Sequence, residues 1–275
     1  MSKAERKRHV HMWQVLVGIF IFCCLLQIAS GQNTSDPRKI MQGVYQQDDS
    51  RDTTLRAVFD VFDKDGHKQQ KRFVLLRLGS PVDSRTLVRF TDPPELRGVT
   101  LLSLNHPGQG DRQWIYTPAT DRVRSLAPRD RSERFAGTDF TYEDIAERAL
   151  DDFVYRLIND NEAMDGHPAF KIAATPADPS RSQYKFIYYW VAQDVPCILF
   201  AEMYDLTGAK VRTLHGSQLK KVSGIWGARR TEVSSVLENT RTTLTIDEVH
   251  FNRGLAEEQF TPEGMKTADD LTKKR

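Results

Sequence analysis

Leu55-Arg-Ala-Val-Phe-Asp-Val61, the turn Asp63-Lys-Asp-Gly66 and Arg72-Phe-Val-Leu-Leu-Arg-Leu78 decide the fold. Leu55, Ala57, Phe59 and Val61 recur at every second residue, as do Arg72, Val74, Leu76 and Leu78. That period places each set on one face of an extended strand. Gly66 closes a turn between the two runs, so the pair reads as a β-hairpin with an apolar face. Working outward, Thr86-Leu-Val-Arg-Phe90 makes a third strand and Val99–Leu104 a fourth. Gln113-Trp-Ile-Tyr116 and Asp121–Leu126 complete a meander of about six. Strands at this spacing, with turn residues between them, are the pattern of an antiparallel sheet rather than of βαβ units.

Two helices interrupt the β pattern. Asp36-Pro37 supplies an N-cap followed by a residue pre-set for the first helical position, and Ile40, Met41, Val44 and Tyr45 recur at helical spacing over 37–47. Thr141 can cap a second short helix with Glu143 and Asp144 in its first turn; Phe140, Tyr142 and Ile145 then mark a segment that crosses a mouth of the sheet as a lid. Strands resume at Phe153 and continue through Thr243–Phe251. Residues 32–263 read as one domain, with a polar tail over 264–275.

The N-terminus reads as an export signal. Lys3, Arg6, Lys7 and Arg8 precede the apolar run Val15–Leu26, and Ala29-Ser30-Gly31 supplies small residues at its exit. The run is short for a membrane span and suits a signal peptide occupying 1–31, removed after Gly31. The alternative is an uncleaved inner-membrane anchor. Without this segment the charges nearly cancel, which leaves no basic footprint for nucleic acid. Cys197 lies in the apolar stretch Val195–Phe200 and is the only cysteine after residue 24, so it reads as a buried small hydrophobe.

The chemical inventory argues against an enzyme. The sequence has no Gly-x-Ser-x-Gly elbow, no phosphate loop and no His-Glu-x-x-His, and no cofactor or metal is expected. The apolar content says more. Two short helices offer little surface to cover a sheet of ten or more strands. Such a sheet must close on itself, dimerise or enclose a ligand. We expect an apolar cavity lined by Phe59, Val61, Val74, Leu76, Phe90, Trp114, Tyr116, Tyr189 and Met203, chosen by strand parity and size; a fully packed core is the alternative.

Several segments, in order, carry a family resemblance. They are Leu87–Phe90 with Pro93-Pro94 and Gly98–Leu102; Gln113–Pro118 with Arg122-Val-Arg124; Gly137–Asp144; and Val211–Leu214 leading to Gly224-Ile-Trp226. Over about 40–262 the chain resembles outer-membrane lipoprotein-sorting proteins of the LolA-like superfamily, a periplasmic branch rather than the classical carrier. The resemblance implies a mainly β (α+β) fold: a strongly curved antiparallel sheet forming an incomplete barrel, with short helices lidding its concave face. It implies binding of lipoprotein acyl chains or another lipid, handed on by an inner-membrane transporter. No individual residue of the classical carrier is carried over. A ligand-free accessory subunit that docks on an envelope transporter or assembly machine is the competing function.

Overall fold

The computed structural model describes residues 36–80, 83–106, 112–146 and 148–267. The expected signal segment and the turn at 107–110 lie outside the described residues, as does the tail from residue 268.

Helix α1 (Pro37–Gln46) starts as the sequence leads one to expect: Asp36 Oδ1 accepts from the Arg38 amide at 3.0 Å, and Pro37 occupies the first turn. The strands that follow are β1 (Asp52–Phe62), β2 (Lys68–Ser80), β3 (Asp83–Asp92), β4 (Thr100–Asn105), β5 (Arg112–Thr117) and β6 (Arg122–Ser125). After the segment containing α2 (Tyr142–Ile145) come β7 (Phe153–Met164), β8 (His167–Pro176), β9 (Tyr184–Ala192), β10 (Ile198–Asp205), β11 (Lys210–Val222), β12 (Ile225–Ser235) and β13 (Thr240–Phe251). Helix α3 (Gly264–Thr267) follows.

All thirteen strands join one antiparallel sheet in the order β6-β5-β4-β3-β2-β1-β13-β12-β11-β10-β9-β8-β7. Two meanders therefore meet at a single seam, where β1 pairs with β13 and Phe59 faces Leu244. Strands β6 and β7 remain edges, so the curved sheet is an incomplete barrel.

Register decides which side chains share a face. In the first hairpin Ala57 faces Phe73 and Phe59 faces Lys71. The concave face thus takes Leu55, Ala57, Phe59 and Val61 from β1, and Lys71, Phe73 and Leu75 from β2. Val74 and Leu76 point the other way. Strand β2 is apolar on both faces because both are covered. Helix α1 seats Met41 on the concave face against Ile172, Ile187 and Tyr189. The convex face of β2–β5 is covered by the chain's last described turn, with Phe260 and Met265 packed on Val74, Leu76, Leu87, Leu102 and Tyr116. Met265, which the sequence places in the polar tail, is fully buried. Arg89 holds that segment down, donating through Nη1 to the Met265 carbonyl at 3.0 Å.

Candidate functional site

The concave face carries two apolar clusters. Beneath α1 lie Ile172, Ala174, Ile187, Tyr189, Ala201 and Met203. Beside them Phe59, Phe73, Val88, Phe90 and Leu101 form a floor, and residues of the chain from Leu126 to Ala146, the lid segment, pack against it. Phe135, Phe140 and Tyr142 descend from the lid into the floor. Phe140 lies 5.3 Å from Phe59 between ring centroids, and Phe135 lies 5.4 Å from Phe90 and 5.6 Å from Tyr142. Ile145 packs at the edge of the same cluster. The lid's aromatic rings thus pack directly on those of the floor.

Polar anchors hold the lid at its perimeter. Ala136 and Gly137 both take left-handed backbone angles, with φ of 48° and 70°. Between them and the floor, Lys71 Nζ donates to the Ala136 carbonyl at 2.6 Å. Lys71 is 5% exposed, and burial pushes its pKa below the ordinary lysine value; Glu95 opposes the shift and Arg134 adds to it. On the β13 side, buried Asp139 accepts from Arg134 and Thr240 and, at 2.7 Å, from Thr242 Oγ1.

At the far end Asp144 gathers four partners. Its Oδ2 accepts from the Thr141 amide at 2.9 Å, closing a capping box at the start of α2, and from Arg212 Nη1 at 2.9 Å. Its Oδ1 accepts from Tyr184 Oη at 2.8 Å and faces Arg148 at 3.3 Å. Burial first, and then the Asp144 carboxylate, push the Tyr184 phenol well up.

Beyond both covers the concave face continues as an open trough of about 350 Å³. Leu55, Val222, Ile225, Ile246, Val249 and Phe251 supply its apolar wall. Gln47, just after α1, ties Trp226 of the trough's wall to Pro196, accepting from the Trp226 amide at 3.0 Å and donating to the Pro196 carbonyl at 2.6 Å. The volume is within the usual range for a small-molecule pocket.

The nine lining candidates divide by face. Phe59, Val61 and Phe90 meet under the lid, and Tyr189 and Met203 meet under α1. Val74, Leu76, Trp114 and Tyr116 project from the convex face, under Phe260 and Met265. Sequence reasoning passed over Phe73, Phe135, Lys71 and Met41. Phe135 had a detectable signal, being a large apolar residue in an otherwise polar stretch five positions before Phe140.

Two His–carboxylate pairs, His167 with Asp194 at 2.9 Å and His215 with Asp165 at 2.5 Å, border a separate cleft of about 470 Å³. Both pairs are at least one-third exposed on one partner, and no hydroxyl or thiol is hydrogen-bonded to either imidazole among the described residues. A nucleophile and its base need that contact. Asp63, Asp65 and His67 also lie close together, all exposed, and their mutual hydrogen bonds hold the β1–β2 turn.

A family model described as uncharacterized protein matches residues 82–267, most of the chain. The chain belongs to this DUF1329-like family. Solved structures share its fold. A domain from Vibrio parahaemolyticus, provisionally named an outer-membrane lipoprotein-sorting protein, is 24% identical with a TM-score of 0.79, over 84% of this chain and 98% of that one. A DUF1329 family protein from Desulfovibrio piger is 24% identical with a TM-score of 0.78, over 84% and 100%. A LolA superfamily protein from Nitrosomonas europaea is 19% identical with a TM-score of 0.68, over 82% and 97%. No curated protein matches. At these identities the likeness is one of fold: the DUF1329-like chain shares the architecture of these three structures.

Proposed function

We propose that this protein is exported to the periplasm and carries lipoprotein acyl chains or another lipid on the concave face of its sheet. The observation that carries this reading is the lid. Its apolar rings occupy the floor, while its grip on the barrel is a set of discrete polar anchors, Lys71 to Ala136, Asp139 to Thr242 and Asp144 to Arg212. An acyl chain entering from the Leu55–Phe251 trough would displace Phe135 and Phe140 and take over their contacts. Each CH₂ transferred from water contributes about 0.8 kcal/mol, so a long chain can offset the loss of the lid's packing. An inner-membrane transporter is the candidate donor, and the residues named play no catalytic part.

The packing of the lid's rings on the floor favours a second reading, a ligand-free accessory subunit that docks on an envelope assembly. Leu237, 75% exposed, and Val236 on the β12–β13 turn would then belong to its contact surface. Mass spectrometry of lipid extracted from protein purified from its own periplasm separates the two. Co-purified lipid, with added lipid raising the melting temperature, supports the carrier; protein that is lipid-free and insensitive to added lipid overturns it.

A further inference from the structure

One row of the concave face breaks its apolar character. Thr53 faces Arg77 across β1–β2, Arg77 faces Thr86 across β2–β3, Thr86 faces Ser103 across β3–β4, and Ser103 faces Gln113 across β4–β5. The five side chains therefore stand side by side across five strands, on the same face as Phe73, Val88 and Leu101. The first part of the row is internally bonded. Arg77 Nη2 donates to Asp48 Oδ2 at 2.7 Å and to the hydroxyls of Ser50 and Thr53 at 2.8 Å.

The second part is not. Thr86, Ser103 and Gln113 are 4%, 3% and 3% exposed, yet Thr86 Oγ1, Ser103 Oγ and Gln113 Oε1 have no hydrogen-bond partner among the described residues. The Gln113 amide orientation is set by its nitrogen, which donates to the Tyr142 carbonyl of the lid at 3.0 Å. Its oxygen is thereby left as a bare acceptor. Buried polar atoms without partners are disfavoured, and three in register on neighbouring strands are not a packing accident of one site. With strands about 4.8 Å apart, they span about 10 Å.

We infer that Thr86, Ser103 and Gln113 form a subsite for the ester-linked glycerol portion of a lipid cargo. The two hydroxyls donate to ester carbonyl oxygens, and Gln113 Oε1 accepts from a free hydroxyl or amide N–H of the ligand. When the lid lifts, the Tyr142 carbonyl leaves and Gln113 Nε2 joins as a further donor. The acyl chains then run over the apolar floor of Phe59, Phe73 and Phe90. The row thus selects glycerolipids over bare hydrocarbon. The inference rests on the carrier reading, of which it specifies the ligand class.

The test compares monopalmitoylglycerol with N-phenyl-1-naphthylamine, an apolar probe that lacks carbonyl oxygens, on wild-type protein and on the Thr86→Val/Ser103→Ala double variant. The double variant is expected to bind the naphthylamine within about twofold of wild type. It should lose about tenfold in affinity for monopalmitoylglycerol, the equivalent of about 1.4 kcal/mol. Equal losses for both probes, or no loss for either, overturn the subsite. Wild-type protein that binds the naphthylamine but not the glycerol ester also overturns it and leaves the carrier reading standing; protein that binds neither removes both. The ligand-free melting temperature is a second readout. Removing unpartnered hydroxyls should leave it unchanged or raise it, and a fall of several degrees would mean that structural water holds them, which overturns the proposal.

Discussion

Lys71 is a lysine on a phenylalanine floor, and its environment sets two measurable consequences. Among the described residues its ammonium has one acceptor, the Ala136 carbonyl. Lys71→Met keeps most of the side-chain volume but leaves that carbonyl unsatisfied, at a cost of about 1–3 kcal/mol. The cost should appear locally, as faster amide exchange at Thr138 and Ala146 with little change at β9. The second consequence is a pH slope. Because burial lowers the folded pKa, the unfolded chain binds the proton more tightly. Lys71's contribution to stability therefore rises with pH from its folded pKa up to the ordinary value of about 10.4. Denaturation midpoints of wild type should show that rise, and those of Lys71→Met should lack it. Cys197 is the opposite kind of residue. Burial, with Asp194 nearby, pushes its thiol up to about 11. In a chain beginning at Gln32 it should resist a disulfide reagent at pH 8 and react fully once the protein is unfolded; ready labelling of native protein would contradict this burial.

At the scale of elements, what the sequence revealed depended on how many faces of each element are covered. Helix α1 was legible because a cap, a proline and one apolar stripe agree, and it falls at Pro37–Gln46 against the expected 37–47. Strand β1 was legible for the same reason, having one dominant apolar face. Strand β2 was not. Phe73 and Leu75 serve the lid side while Val74 and Leu76 serve the C-terminal cover, so alternation carries no information about direction. The same ambiguity misplaced Trp114 and Tyr116. The lid was legible only at α2, where Thr141 and Asp144 make a capping box; its 3₁₀ turns at Pro128–Ser132 and Phe135–Gly137 have no periodicity to read. Asp144 tests whether α2 is pinned as described. Its side chain is 8% exposed, and those of Arg148 and Arg212 are 16% and 14%. Asp144→Ala would leave two nearly buried guanidinium groups without their carboxylate, a loss of about 3–5 kcal/mol. Thermal unfolding should register it as a drop of many degrees, and a drop of only a degree or two would show that the anchor is dispensable.

The whole sheet depends on a contact between its first and last strands. Strands β1 and β13 are almost two hundred residues apart in sequence, yet they pair over ten positions from Thr53 opposite Phe251 to Phe62 opposite Arg241. Every other pairing joins strands adjacent in sequence order. Two meanders that could each form early are thus made into one body by a single late, non-local step, and topology of this kind folds slowly. No local pattern marks that seam, which is why the strands were countable from sequence but their order was not. The seam also completes the site, since Leu244 stands opposite Phe59 and Thr242 opposite Val61, while Thr242 anchors Asp139 of the lid. Two shortened chains separate the seam from the cover beyond it. Ending after Phe251 keeps β13 but removes Leu255, Phe260 and Met265 from the convex face and the hydrogen bonds of Asn252, Arg253 and Gly254 to Arg51 and Asp52, so unfolding should stay cooperative with stability reduced by at least about 3–6 kcal/mol, the worth of the two large buried side chains alone. Ending after Asn239 removes the seam, exposes the inner edges of β1 and β12, and frees the lid from Asp139's partners. That chain should lose its single cooperative transition and bind a hydrophobic dye strongly in the absence of denaturant. If it melts as sharply as the chain ending at Phe251, the two meanders are independent and the concave face is not one surface.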